Sequence, residues 1–335
     1  MKIIVPMAGR GKRMRPHTLS VPKPLIPIAG KPIVQRLVED IVEVCGQAVN
    51  EVAFIIGDFG DQVEKDLIAV AESKGAKGSI YYQDQPLGTA HAILCAANSL
   101  EGPVVVAFAD TLFRADFVLD TASDGVIWTN RVNDPRQFGV VKKDADGVIT
   151  DFVEKPETFV SDEAIIGIYY FRDGANLRSE LQYLIDHNIT DKGEYQLTDA
   201  LSNMKNKGLR FTSGTVNDWM DCGNKDITVD TNARVLGYIQ GKEQLRAPSA
   251  LVENSEITEP CMLAEGVVVR NSKIGPGVSI GAGTLIENCH INRAIIGEAC
   301  KLENVNLENS MIGNFVRFNG KFTHVSIGDY STLDQ

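Results

Sequence analysis

Directly after an apolar run, Lys2–Pro6, the chain reads Ala8-Gly9-Arg10-Gly11-Lys12-Arg13-Met14-Arg15. Two glycines let a backbone approach a polyphosphate closely, and four cations within six residues supply local positive charge in a chain whose net charge is −11. The composition is that of an anion cradle, although a basic, glycine-rich loop by itself also describes a solvated turn. The spacing is not that of a P-loop, and Met14 stands where a dinucleotide fingerprint has its third glycine. Pro22-Lys23-Pro24, Pro27 and Lys31-Pro32 follow. Prolines around Lys23 predict a stiff, extended mount for its ammonium, which suits a phosphate under transfer better than a floppy loop would.

Two carboxylates stand out by position. Asp110 ends the apolar run Val104–Ala109, and Asp221 lies in Trp219-Met220-Asp221-Cys222-Gly223 just before a helical pattern. A pair of carboxylates suits Mg²⁺, which takes oxygen ligands and completes its shell with waters and substrate phosphates. Each alone also fits a helix cap, and Asp218 competes with Asp221 for the role. Gln83 and Gly88, in Gln83-Asp84-Gln85-Pro86-Leu87-Gly88-Thr89-Ala90, stand where a strand gives way to a helix, a rim from which an amide can read a base edge. Glu154-Lys155-Pro156 predicts a second charged pair held extended by proline, fit for sugar hydroxyls and a phosphate or, more plainly, a surface hairpin pair. His17, His91, His187, His290 and His324 make no metal spacing and receive no role.

The elements that must carry these residues follow from periodicity. Apolar, β-branched runs (Lys2–Pro6, Val52–Ile56, Ser79–Tyr82, Val104–Ala109) alternate with helix-length segments (Ile33–Val44, Gln62–Glu72, Thr89–Ala97). That order predicts an α/β fold with a Rossmann-like, doubly wound, mostly parallel sheet whose ligands bind beyond the carboxyl ends of its strands. Turn signals between Gly125 and Phe171 predict an antiparallel edge layer, and helices are expected near Asn176–Asp186, Gln196–Lys205 and Asn224–Ile239. After Pro248 apolar residues recur at steps of five or six: Val268, Ile274, Ile280, Ile286, Ile291, Ile296, Leu302, Leu307, Ile312 and Phe318. A meander of short strands has no reason to keep that step, whereas a β-solenoid requires it. The expected division is therefore 1–240 and 248–335, joined by the polar connector Gly241–Ala247.

Composition bounds the partners. The 335 residues are 44% hydrophobic and 23% charged, enough to bury two cores and no case for disorder. The acidic balance excludes nucleic acid as a bulk partner. Pro103–Ala109 and Ala164–Phe171, the longest apolar runs, fall far short of the ~20 residues that cross a bilayer, so no membrane partner is expected. Six cysteines without a Cys-x-x-Cys pair read as reduced packing residues, which places the chain in the cytoplasm.

Taken together these segments resemble the sugar-1-phosphate nucleotidylyltransferases. The resemblance runs in order from Met1 to about Ile239: the glycine-rich loop with Arg13, Pro22-Lys23-Pro24, Leu87-Gly88-Thr89-Ala90, Phe108-Ala109-Asp110, Phe138-Gly139-Val140-Val141, Glu154-Lys155-Pro156, Ile166-Gly167-Ile168-Tyr169, Glu194 to Asp199, and Trp219 to Gly223. The repeat after Pro248 is similar to the left-handed parallel β-helix that several such enzymes carry. The resemblance implies that Gly9, Gly11 and Arg13 wrap the triphosphate, that Gln83, Gly88 and Thr89 belong to the nucleotide site, and that Lys23 holds the reacting phosphates. It further implies that Gly139, Glu154, Lys155 and Gly167 receive the sugar phosphate, that Asp110 and Asp221 hold Mg²⁺, and that Arg13, Lys23 and Asp110 form the catalytic set.

The implied substrates are an NTP and a sugar 1-phosphate, with glucose 1-phosphate and dTTP or UTP as the expected pair and pyrophosphate as co-product. Arg15-Pro16 and the run Thr18–Leu25 are similar to guanylyl-transferring members, so mannose-1-phosphate guanylyl transfer stays open. Lys12 where many members have Thr, and Ala109 where Gly is frequent, are departures that touch the phosphate fit. Regulatory subunits of the same fold tend to lose the loop cations and metal carboxylates, all of which this chain keeps. Acyl transfer by the repeat would need a histidine that cannot be placed among its strands, so assembly into a homo-oligomer or an allosteric surface is the expected use of that domain.

Overall fold

Four runs rich in β-branched residues, Lys2–Pro6, Glu51–Ile56, Lys77–Tyr82 and Val104–Ala107, pair in parallel in the order 104–107, 2–6, 51–56, 77–82. They belong to a computed structural model that describes residues 1–9, 11–320 and 326–333. Packing groups the chain into two units: Met1–Gly9 with Gln35–Trp219, and Arg10–Val34 with Met220–Gln335.

In the first unit the parallel strands alternate with helices, as the apolar stripes require: Leu37, Val38, Ile41 and Cys45 are buried on Ile33–Cys45, and Leu67, Val70 and Ala71 on Asp61–Glu72. The expected antiparallel layer is present. Glu163–Phe171 runs antiparallel to Val104–Ala107 and to Gly125–Arg131, and Ile149–Glu154 pairs antiparallel with Gly139–Lys143. Phe211–Thr215, a strand not expected from its mixed Thr, Ser and Gly composition, adds in parallel to Gly125–Arg131 and completes nine strands. Because Lys2–Pro6 has its next parallel neighbours on either side, the strand order reverses there, and the crevice beyond its carboxyl end is where such sheets bind ligands.

Two elements end earlier than their patterns suggest. The fourth strand stops at Ala107 rather than Ala109, because Phe108 donates its amide to the carbonyl of Gly167, where a bulge interrupts the partner strand. The helix from Thr89 stops at Leu94, and a 3-10 turn, Ala97–Ser99, follows.

The second unit contains a parallel β-helix. Strands Leu251–Glu253, Val268–Arg270, Leu285–Glu287, Lys301–Glu303 and Arg317–Asn319 stack in register along one face. The other faces are built from Glu256–Ile257, Lys273–Ile274, Cys261–Leu263 and Val278–Ile280, then from the longer His290–Ile296 and Asn306–Ile312. Nine of the ten periodic residues are buried; the exception is Val268, whose neighbour Val269 enters the column Val269, Ile286, Leu302, Phe318 instead. Sequence spacing alone could not separate adjacent valines, since only the pleat decides which of two neighbours faces inward.

Coil corners explain the small residues. A Cβ on Gly281 would lie 2.6 Å from the carbonyl carbon of Gly297, and one on Gly297 would lie 2.6 Å from that of Gly313. At another corner Asn254, Asn271, Asn288 and Asn304 all take the left-handed conformation, and Asn304 donates to Asn319 Oδ1 at 3.0 Å. The helix Lys225–Ile239 packs in this unit through buried Asn232, whose Oδ1 accepts from Ala29 N and Ser279 Oγ, each at 2.8 Å, while its Nδ2 donates to the Gly277 carbonyl. One amide thereby fastens the turn before Lys31 and a coil of the β-helix to one helix.

Candidate active site

Gly9, Gln83 and Asp110 each lie just past the carboxyl end of a parallel strand: Lys2–Pro6, Lys77–Tyr82 and Val104–Ala107. Gly9 is exposed, and a Cβ there would meet nothing within 4 Å, so close backbone approach is open at that point. Gly167 meets the same rim. At φ +85 it forms the bulge beside Phe108, two residues before Asp110.

Gln83, Gly88 and Thr89 come together. Gln83 Nε2 lies 3.3 Å from the Gly88 carbonyl and 3.1 Å from His91 Nδ1. Gly88 is obligatory: at φ +112, a Cβ would lie 2.4 Å from the Tyr195 carbonyl oxygen. The segment Glu194–Asp199 braces this loop, since Tyr195 N donates to the Leu87 carbonyl and Ala90 N to the Tyr195 carbonyl. Thr89 is part of the same brace, accepting from Leu197 N at 2.9 Å and donating to Gln196 Oε1 at 3.2 Å. His91 was thus missed by sequence reasoning, and Tyr195 and Gln196, though part of a motif that carries the resemblance, had no role assigned. For His91 the helix-start position beside Gly88 was a usable signal, set aside because the histidines had no metal spacing.

Gly139, Glu154 and Lys155 form a second group. Glu154 pairs with Gly139 across the antiparallel strands, and a Cβ on Gly139 would lie 3.1 Å from Glu154 Oε2. The Lys155 ammonium is 3.4 Å from Glu154 Oε1 and more than half exposed. Lys155 is not extended, as its neighbouring proline suggested. It sits at φ +40, held by its amide bonding to the Phe138 carbonyl. The charge of Glu154 reaches its neighbours: burial raises the pKa of Asp199, with Asp191 and Glu154 adding to the shift, and burial followed by Glu154 raises that of Tyr169.

The second unit carries Gly11, Arg13, Lys23 and Asp221. Gly11, at φ +58, opens a single 3-10 turn, Lys12–Met14, that leaves Arg13 exposed above buried Met14. Lys23 is not extended either. Its backbone begins the 3-10 turn Lys23–Leu25, because Pro24 falls in a first turn, where a missing N–H costs nothing. The residue is 7% exposed and its Cβ packs on Gly11, where an added Cβ would lie 2.9 Å from Lys23 Cβ. Thr18 locks the pair by donating Oγ1 to the Gly11 carbonyl at 2.8 Å. The loop glycine and the lysine, separated along the chain, are therefore one packed object.

Asp221 ends the strand Asp218–Asp221, and its carbonyl accepts from Thr231 Oγ1 at 3.0 Å. Gly223 makes room for its carboxylate, since a Cβ there would lie 2.8 Å from Asp221 Oδ2. The thiols are packing groups: all six cysteines are free, and burial pushes Cys45 up to about 12 and Cys261 and Cys289 up to about 11. Among the described residues no helix is long and apolar enough to cross a membrane, and no three His, Cys, Asp or Glu side chains cluster as a metal site.

Residues 2–236 match the family model described as nucleotidyl transferase. The chain is 28% identical over 324 residues to a glucose-1-phosphate thymidylyltransferase of Streptomyces griseus, covering 93% of this chain and 87% of the relative. It is 29% identical to the mannose-1-phosphate guanylyltransferase catalytic subunit beta of Danio rerio, covering 98% of each. Among solved structures, a UDP-glucose pyrophosphorylase complexed with UDP-glucose shares the fold with a TM-score of 0.58 and 24% identity, over 71% of this chain and 98% of that one.

Proposed function

The chain belongs to the nucleotidyl transferase family, and from that premise we propose that it is a sugar-1-phosphate nucleotidylyltransferase, joining the nucleotidyl group of an NTP to a sugar 1-phosphate. The preferred pair is glucose 1-phosphate with dTTP or UTP, supported by the thymidylyltransferase relative. Mannose 1-phosphate with GTP is the second reading, supported by the guanylyltransferase relative and its coverage of 98% of the chain. The observation that carries the proposal is the common rim on which Gly9, Gln83 and Asp110 follow parallel strands beside the reversal of strand order.

In this reading a sugar phosphate oxygen, already anionic, needs no general base. It attacks the α-phosphorus in line, the bond from that phosphorus to the β-bridging oxygen breaks, and pyrophosphate leaves with the electron pair. The protein's task is alignment and charge neutralisation. Gly9, Gly11 and Arg13 cradle the triphosphate; Lys23, fixed against Gly11, holds the reacting phosphates; Gln83, Gly88 and Thr89 form the base end. Glu154 takes sugar hydroxyls as an acceptor, Lys155 meets the sugar phosphate, and Gly139 and Gly167 keep the floor free of side chains.

Asp110 and Asp221 are the proposed ligands of a Mg²⁺ ion. Their hard oxygen donors suit it, and the missing Cβ of Gly223 leaves room for the Asp221 carboxylate, whose Oδ2 lies 2.8 Å from where that atom would be. When bound, such an ion supplies charge neutralisation on the phosphate oxygens. Residues 1–240 are the proposed catalytic domain and 248–335 a left-handed β-helix domain used in homo-oligomer assembly, in a cytoplasmic enzyme.

A matrix of dTTP, UTP, GTP, ATP and CTP against glucose, mannose and N-acetylglucosamine 1-phosphates, read as released pyrophosphate, tests the reading. Release that requires one nucleotide and one sugar phosphate together is expected. No release with any pair would overturn it.

A further inference from the structure

Gln83 Nε2 faces two partners, and only one of them has a fixed polarity. The Gly88 carbonyl, at 3.3 Å, can only accept, so the nitrogen end of the Gln83 amide must be the end that faces it. That settles the second contact as well. His91 Nδ1, 3.1 Å from the same nitrogen, then has to be an acceptor, which requires neutral imidazole with its proton on Nε2. Burial favours that neutral form by lowering the pKa of His91. Both Gln83 N–H groups are consumed, and Oε1 is left as a carbonyl that can only accept.

We propose that His91 is a specificity-determining positioning residue, which fixes the Gln83 amide so that the nucleotide site selects bases with a ring N–H donor and rejects bases whose ring nitrogen is an acceptor. Uracil and thymine at N3 and guanine at N1 present such a donor. Adenine at N1 and cytosine at N3 present a lone pair, which a fixed carbonyl oxygen repels. The inference rests on the reading that Gln83 meets the base, and it deepens that reading by naming the second acceptor, beside the Gly88 carbonyl, that anchors the amide nitrogen. Without His91 the amide keeps only the longer contact to the Gly88 carbonyl, at 3.3 Å, so Oε1 is held in place less firmly and the discrimination relaxes.

The test compares kcat/KM for UTP, dTTP and GTP with that for ATP and CTP, each with its best sugar 1-phosphate, in the intact enzyme and three variants. His91 lies on a helix and is only half-buried, so His91→Ala keeps a good helix former and the fold. His91→Ala is expected to lower the ratio of the best ring-N–H nucleotide to ATP by about tenfold. His91→Asn, whose Oδ1 replaces Nδ1 as acceptor, is expected to restore it, and Gln83→Ala to lower it at least as far as His91→Ala. An equal fall for every nucleotide in His91→Ala, or a His91→Asn enzyme no more selective than His91→Ala, would overturn the positioning role while leaving Gln83 as the base contact. An unchanged ratio in Gln83→Ala would instead overturn the base contact itself.

Discussion

Gly11→Ala should cripple catalysis by moving Lys23 rather than by removing any functional group. Gly11 holds φ +58 and ψ +40, a left-handed conformation that costs an alanine about 1–2 kcal/mol. Its added Cβ would lie 2.9 Å from Lys23 Cβ and 3.1 Å from Thr18 Cγ2, whereas carbon atoms rest at about 3.5–4.0 Å. The Lys23 Cβ is bonded to its own backbone and cannot rotate away, and Thr18 is held by its bond to the Gly11 carbonyl. Relief therefore requires the Lys23 turn to recede by roughly 0.5–1 Å, at a packing cost of about 1–3 kcal/mol. A misplacement of about 1 Å near reacting groups costs roughly 10²-fold in rate.

The assay is initial pyrophosphate release under saturating substrates, beside urea unfolding of the same samples. Gly11→Ala is expected to lose about 10²-fold in kcat and about 2–5 kcal/mol of local stability. Lys23→Ala loses roughly 10²–10³-fold by removing a preorganised cation. Because both act through one ammonium, the double variant should be hardly slower than Lys23→Ala alone. Undiminished kcat in Gly11→Ala, or losses that multiply in the double variant, would refute the reasoning.

Asp110→Asn and Asp221→Asn should each lower kcat/KM by roughly 10²-fold or more and raise the Mg²⁺ needed for half-maximal rate; a Mg²⁺ titration decides, and an unshifted titration curve for either variant counts against that residue. Gly297→Ala should destabilise the β-helix by about 1–3 kcal/mol or more, its Cβ having only 2.6 Å to the backbone of the next coil, as a lowered urea midpoint would show. Buried His17 carries a pKa lowered from 6.5 to about 4, by desolvation first, which Asp329 opposes and Lys225 reinforces. Between those values the unfolded chain binds the extra proton, so this contribution is complete above pH 6.5 and is lost as pH falls towards 4, about 3 kcal/mol in all. His17→Leu should flatten that part of the acid dependence of unfolding, and an unaltered slope would exclude the histidine as its source.

Much of this architecture was legible because it rests on short-range periodicity. Alternating apolar runs yielded the parallel strands, turn signals the antiparallel layer, and a step of five or six residues the coils. Legibility failed where a distant partner decides a local conformation. The prolines around Lys23 and Lys155 suggested extended chain, yet Lys23 enters a 3-10 turn and Lys155 a left-handed conformation tied to the Phe138 carbonyl. His91 looked idle because its partner, Gln83, belongs to no metal spacing. The asparagine corners went unremarked because one left-handed Asn means little until a coil stacks it over the next.

The sequence by itself determined the inventory of charge and the periods of the elements, since side-chain type and local spacing are properties of the chain alone. Only the tertiary structure decided which end of the Gln83 amide is committed, why Gly11 and Lys23 are one object, and how Asn232 binds the turn at Ala29 to the coil at Ser279. Each of those outcomes depends on an acceptor, a surface or a backbone brought near from elsewhere in the chain, and hydrogen-bond polarity and steric contact exist only once both partners are in place.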